Sequence, residues 1–154
     1  MQIDTDLEIL FPDTYINNVQ ERLICYKRLN EVTNQPALDQ FVFELEDRFG
    51  PLPITSQALI QSVQLKWLVA DLHFEKVVLK KNKLICYFDT TSTNNFFQSD
   101  DFIRMVKQLQ CHSKKGILKE KKQGENKRLL LSFEDVNTIE DALRYLKELQ
   151  PTAA

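Results

Sequence analysis

Two histidines and three cysteines are the side chains from which nucleophilic, acid–base or metal chemistry would most readily be built. Cys111 and His112 are adjacent and could supply two metal ligands. A zinc site, however, needs four protein ligands, or three and a water, at recognisable spacings. His73 stands between Asp71 and Phe74 after a long apolar segment, which is typical of a packed histidine or one at a helix end. We therefore predict no metal site and no imidazole-based catalytic site.

The glycines and carboxylates give no better basis for catalysis. Gly50, Gly116 and Gly124 are isolated from one another, so none belongs to a glycine-rich phosphate loop. Acid–base work needs two carboxyl groups held in a cleft with separated pKa values, whereas Glu44, Glu46 and Asp47 fall on one exposed stretch of a predicted helix. We expect no catalytic residue, no cofactor and no enzymatic activity in this chain.

The cysteine count and the N-terminus indicate a cellular compartment. Cys25, Cys86 and Cys111 form an odd set without a CxxC pair, which predicts buried free thiols in a reducing environment. The first residues lack the basic start and apolar core of a secretory signal, and no apolar run is long enough to span a bilayer. We expect a cytoplasmic protein.

One segment is strongly basic although the whole chain carries a formal net charge of -2. Within residues 114–128, lysine and arginine outnumber aspartate and glutamate by seven to two. Such a run could contact phosphates, but it contains no aromatic residue on which single-stranded bases could stack. A solvated edge hairpin protected by lysines is the favoured alternative. The candidate phosphate contacts are Lys119, Lys121, Lys122, Lys127 and Arg128.

The elements that must position these residues begin with a helical half. Asp6–Phe11 partly alternates and predicts a short strand that Pro12 ends. After it, three- and four-residue spacings of apolar residues predict a helix that runs to about Leu29. The residues of that predicted buried face are Ile16, Val19, Leu23 and Tyr26.

The second helix has the clearest boundaries. Asn34 can cap it, Pro36 fits its first turn, and Gly50 followed by Pro51 ends it. Its predicted buried stripe is Leu38, Phe41, Val42, Leu45 and Phe49. A third helix, capped by Thr55 or Ser56 and reaching about Leu72, is apolar on most of its surface and is expected to be central.

From residue 75 the period changes to that of strands. The β-rich runs 76–80 and 84–88 predict one hairpin, and 116–121 with 127–133 predict a second. Ser99 starts an amphipathic helix between them that includes Phe102, Ile103, Val106 and Leu109, and Asn137 or Thr138 caps a last helix. The fold class is therefore α+β: a helical N-terminal half, about 13–74, and an antiparallel sheet built as hairpin-helix-hairpin-helix, about 75–150, within a single domain 1–154.

The polar face of the second helix carries an aromatic residue. At about 100° per residue, Phe43, Glu44, Asp47 and Arg48 gather on the side away from the buried stripe. An ordinary i,i+4 ion pair between Glu44 and Arg48 would account for the charges but not for Phe43. Arginine and aromatic residues are enriched at protein interfaces, so this face is a candidate partner interface.

Three runs in this half carry a family resemblance. They are FPDTYI at 11–16, RLICYKRL at 22–29 and ELEDRFGPLP at 44–53. In order and spacing they resemble the C-terminal regulatory domain of the bacterial transcription-repair coupling factor, and the resemblance is strongest over residues 3 to about 75. Beyond that only the hairpin and helix layout is similar.

The resemblance implies a place in a large ATP-driven DNA translocase that removes stalled RNA polymerase from DNA and recruits the nucleotide-excision-repair protein UvrA. The motor motifs of that family lie in two upstream helicase lobes. Its C-terminal domain binds the UvrB-like N-terminal module of the same protein and masks the UvrA-binding surface. The family's contact residues in the E-L-x-D-R run correspond to Glu44, Asp47 and Arg48. A nucleic-acid-binding module that uses the basic hairpin, and a tail that only stabilises the motor lobes, remain as alternatives.

Overall fold

A computed structural model describes residues 2–72, 74–88, 103–104, 106–107, 116–123 and 126–149, with the backbone alone for residues 2, 120–123 and 126–128. The elements in these ranges are β1 (Gln2–Thr5), α1 (Val19–Glu31), α2 (Gln35–Phe49), α3 (Ile54–Asp71), β2 (Phe74–Lys80), β3 (Lys83–Phe88), β4 (Gly116–Gln123), β5 (Asn126–Glu134) and α4 (Ile139–Lys147). They confirm the predicted α+β class. Among the residues described, no helix is long and apolar enough to cross a membrane.

The chain divides into two compact units. Glu8–Gln64 form a helical unit, and Met1–Leu7 with Leu65–Ala154 form a unit that contains the sheet. The boundary falls within α3, so that helix belongs to both. The single-domain assignment stays a prediction.

In the helical unit, α1 begins later than predicted and turns a different face inward. Asn18 caps it by accepting a hydrogen bond from the N–H of Glu21 at 3.0 Å, and Ile16 is buried in the turn before it. Leu23, expected in the core, is 62% exposed, whereas Cys25 and Leu29 are buried. At about 100° per residue, Leu23 lies nearly opposite Cys25, so the predicted stripe was wrong in phase.

The predicted bounds of α2 are confirmed. The Asn34 side chain accepts a hydrogen bond from the N–H of Ala37 at 2.9 Å, and Pro36 lies in the first turn. Gly50 ends the helix with φ of 92°, a conformation that residues with a Cβ rarely adopt. Leu38, Phe41 and Leu45 of the predicted stripe are buried.

Two predictions near the start of α3 were wrong: its capping residue, and the strand expected at Asp6–Phe11. The helix begins at Ile54, so Thr55 and Ser56 lie inside it rather than at the cap. The Ser56 hydroxyl donates to the carbonyl of Leu10 at 3.0 Å, and the N–H of Leu10 donates to the carbonyl of Thr55 at 3.2 Å. Leu10, within the segment predicted as a strand at Asp6–Phe11, is thus bonded to the start of a helix. The strand lies earlier, at Gln2–Thr5.

The sheet has five described strands in the order β1-β2-β3-β5-β4. The two predicted hairpins, β2–β3 and β4–β5, are confirmed, and β3 pairs antiparallel with β5. The first turns through Lys81 and Asn82, whose positive φ values of 53° and 63° suit a two-residue hairpin. The added strand β1 runs parallel to β2, with Ile3 opposite Val77, which makes the sheet mixed rather than wholly antiparallel.

The last helix packs on this sheet as its pattern predicts. Thr138 caps α4 by accepting a hydrogen bond from the N–H of Asp141 at 3.0 Å. Ile139, Leu143 and Leu146 are buried, and the Tyr145 ring stacks on Phe133 of β5 with centroids 5.9 Å apart. Of the helix predicted from Ser99, only residues 103–104 and 106–107 are described, and these are helical; the rest lies outside the described residues.

Candidate functional site

Phe43 is the most exposed aromatic side chain among the described residues. It lies on α2 and leaves 67% of its surface accessible. Its neighbours Asp39 and Asp47 on the same helix are also exposed. Aromatic residues are enriched at protein interfaces and among the residues that contribute most to binding, so this position is a candidate anchor.

Glu44 does not pair with Arg48 as its i,i+4 spacing would allow. Its carboxylate forms an ion pair with Arg28 of α1 and accepts a hydrogen bond from the Gln40 amide at 3.3 Å. These hydrogen bonds, with the charge of Arg28 added, lower the pKa of Glu44 below its usual value. Arg28 also lies over the buried Phe41 ring, 5.3 Å from its centroid. Glu44 is thus oriented by α1.

Arg48 is likewise directed to α1. Its guanidinium pairs with Glu21 and lies 4.9 Å from the centroid of the Phe49 ring. Both members of the pair remain partly exposed, at 62% and 37% of their side-chain surfaces. Such a pair contributes about 0–1 kcal/mol, so it orients Arg48 without binding it tightly.

Asp47 differs from its two charged neighbours. It is exposed, and no ion pair joins it to a lysine or arginine among the described residues. Phe43, Glu44, Asp47 and Arg48, hereafter the α2 ridge, therefore all reach solvent. The ridge thus has two parts: Glu44 and Arg48, which form ion pairs with α1, and Phe43 and Asp47, which are exposed.

Tyr15 fixes the end of the helix that carries the ridge. Its hydroxyl donates to the Gly50 carbonyl at 2.7 Å, and its ring lies 5.7 Å from that of Phe49. Burial, with smaller effects from Glu46 and Cys25, raises the pKa of Tyr15. Sequence reasoning missed this contact, because Tyr15 and Gly50 are far apart in the chain.

The predicted phosphate contacts lie on the β4–β5 hairpin at one edge of the sheet. Lys119 is exposed. The register places Lys121 directly opposite Arg128 and Lys122 directly opposite Lys127. The register therefore groups four basic residues at the end of this hairpin.

Both cysteines that the structure describes lie in buried surroundings. Cys25 and Cys86 are free and buried, and burial raises the pKa of both thiols. A buried thiol with a raised pKa is a poor nucleophile. In the described ranges no group of three histidine, cysteine or acidic side chains could hold a metal ion, while His73, Cys111 and His112 lie outside those ranges.

The described residues thus define an α+β fold with two units: a helical unit that presents a polar ridge, and a unit that contains a mixed sheet. The chain belongs to the TRCF domain family, whose model matches residues 5–99. It is 37% identical over 78 residues to the transcription-repair-coupling factor of Haemophilus influenzae and 26% identical over 129 residues to that of Borreliella burgdorferi. These matches cover 49% and 84% of the chain but only 7% and 11% of the relatives.

A solved structure agrees on the fold. The crystal structure of the C-terminal domain of a transcription-repair coupling factor superposes with a TM-score of 0.73 at 20% identity. The match covers 96% of this chain and 89% of that one.

Proposed function

We propose that this chain is a non-catalytic, regulatory protein-interaction domain of a transcription-repair coupling factor. Its partner is the UvrB-like N-terminal module of the same protein, and its role is to mask the UvrA-binding surface of that module until the factor engages RNA polymerase. The observation that carries the proposal is the α2 ridge: Phe43, 67% exposed, beside the exposed carboxylate of Asp47.

The polar character of the ridge suits a contact that must open. A second hydrophobic core would hold the two modules together permanently, whereas charged and aromatic contacts give orientation with modest affinity. The ion pairs with Arg28 and Glu21 support this role, because they orient Glu44 and Arg48 before the partner arrives.

The test is the binding of UvrA by the full-length coupling factor. The contact between this chain and the UvrB-like module is called the clamp below. We expect Asp47→Lys to place a like charge against cationic groups of that module, open the clamp and raise UvrA binding. Asp47 is a sharper target than Arg48, since reversing Arg48 also breaks its ion pair with Glu21. A double reversal, Asp47→Lys with Arg48→Glu, should open the clamp as well.

The matched control is Asp13→Lys, which makes the same change at an exposed position of the same unit, outside the ridge. It should leave UvrA binding as in the parent factor. Circular dichroism of each isolated variant checks that the domain still folds. Unchanged UvrA binding by both ridge variants would refute the masking role.

A second function, nucleic-acid binding by the β4–β5 hairpin, is favoured by one observation. The register sets Lys121 opposite Arg128 and Lys122 opposite Lys127, and a phosphate backbone could neutralise the positive charge of these four residues. DNA binding would then add to the protein contact rather than replace it.

A further inference from the structure

A groove lies between α2 and α3 of the helical unit, beside the α2 ridge. Its volume is about 360 Å³. Leu38, Val42 and Ile60 form its apolar lining, Phe43 stands on its wall, and the carboxylates of Asp39 and Glu46 border it. It is therefore apolar and acidic at once.

Two glutamines give the groove a defined polar edge. The side-chain amide of Gln64 on α3 donates to the side-chain oxygen Oε1 of Gln35 at 2.9 Å. The side-chain amide of Gln35 in turn donates to the Asp39 carboxylate at 2.8 Å. This chain of hydrogen bonds links α3 to α2 and orients the Asp39 carboxylate. Asp39 is thus positioned by its neighbours and not only solvated.

The negative charge of the groove is uncompensated within the described part of the chain. Among the residues that the structure describes, no lysine or arginine lines the groove, and none forms an ion pair with Asp39 or Glu46. Arg28 of α1 and Arg48 of α2 are instead paired with Glu44 and Glu21. A cation supplied from outside would find two carboxylates without a competing internal partner.

We propose that this α2–α3 groove seats a long basic side chain of the partner, with an apolar residue of the same partner segment packed against Phe43. The inference rests on the proposed function and extends it, because it specifies a basic and apolar partner segment and adds Asp39, Glu46 and Ile60 to the interface.

The chemistry of the groove matches that of such a side chain. Lysine and arginine lay their methylene stems along apolar surface and keep the charged head at the rim. Here the stem would cover Leu38, Val42 and Ile60, and the head would reach Asp39 and Glu46. Hydrogen bonds between charged groups in that setting are shorter and stronger than neutral ones.

The experiment is a calorimetric titration of the UvrB-like module of the coupling factor into this chain. The double variant Asp39→Asn with Glu46→Gln keeps the shape of the groove, and the amide oxygen introduced by Asp39→Asn can still accept a hydrogen bond from Gln35. Removing two charged acceptors should weaken binding about tenfold or more. The affinity of the variant should also depend less on salt than that of the parent chain.

Glu31→Gln is the control, since Glu31 is exposed in the same unit but lines a different cavity, between α1 and α2. It should bind as the parent chain does. An equal loss with Glu31→Gln would mean that overall charge governs binding and would overturn the groove. Parent-like binding by the groove variant, together with weak binding by Asp47→Lys, would overturn the groove and leave the proposed function standing. Absence of binding by the parent chain itself would overturn both the groove contact and the proposed function.

Discussion

At the scale of single residues, the charged side chains of the ridge are oriented by ion pairs with a neighbouring helix. Glu44 and Arg48 have an i,i+4 spacing that favours pairing along one helix, yet each pairs with α1. An i,i+4 pair contributes only about 0.2–0.5 kcal/mol, so ion pairs with suitable charges on a neighbouring helix can replace it. The cation–π contacts of Arg28 and Arg48 with Phe41 and Phe49 add to that preference.

The pKa of Glu44 makes this pairing measurable. Because Arg28 and Gln40 lower that pKa in the folded chain, the carboxylate contributes stability above its unfolded-state pKa and loses it as the pH falls through the folded value. Glu44→Gln should therefore lower the unfolding midpoint near neutral pH and match the parent chain in acid. Urea unfolding across the acidic range measures the difference.

Asp47→Asn is the control for that series, since Asp47 forms no ion pair among the described residues. Its effect on the midpoint should be smaller than that of Glu44→Gln near neutral pH. If the loss caused by Glu44→Gln were the same in acid as at neutral pH, the ion pair would not be its cause.

At the scale of elements, the helix that carries the ridge is fixed at both ends, by its own capping residues and by Tyr15. Asn34 caps the start, and Gly50 turns the chain at the end, where the Tyr15 hydroxyl binds its carbonyl. The ridge is thus presented on a rigid helix, which lowers the entropic cost of binding a partner.

Gly50→Ala tests that end of the helix. A Cβ at this position would meet nothing within 4 Å, so the only penalty is the backbone conformation with φ of 92°. A residue with a Cβ in that region costs about 1–3 kcal/mol, and urea unfolding should show a loss of this size. Asp47→Ala, in the last turn, is exposed and should change stability far less. A neutral Gly50→Ala would mean that the turn adopts another conformation.

At the scale of the whole molecule, charge is unevenly distributed. The formal net charge is only -2, yet the groove is acidic and the β4–β5 hairpin is basic. Two surfaces of opposite charge can bind two kinds of partner: a basic protein segment at the acidic groove, and a phosphate backbone at the basic hairpin.

A salt titration of DNA binding tests the basic surface. If the hairpin contacts phosphates, affinity for duplex DNA should fall steeply with salt, and Lys121→Gln with Lys127→Gln should reduce that slope by about one for each phosphate that is no longer neutralised. Lys27→Gln, an exposed lysine of α1, is the matched control. If the hairpin variant leaves the dependence of DNA affinity on salt unchanged, this hairpin does not bind nucleic acid.

Local signals were sufficient for several elements. The sequence alone predicted α2 with its cap, proline and terminal glycine, both hairpins, a cap of α4 at Asn137 or Thr138, and the solvent-facing position of the ridge. Each of these depends on contacts between residues close in the chain, such as a cap and the first turn of its helix or two strands joined by a short turn.

The tertiary structure decided the rest. It set the phase of α1, paired β1 with β2 in parallel across more than seventy residues, and formed the α2–α3 groove. It also chose α1 as the partner of Glu44 and Arg48. These features depend on which elements become neighbours, and the spacing of residues along one helix or strand does not contain that information.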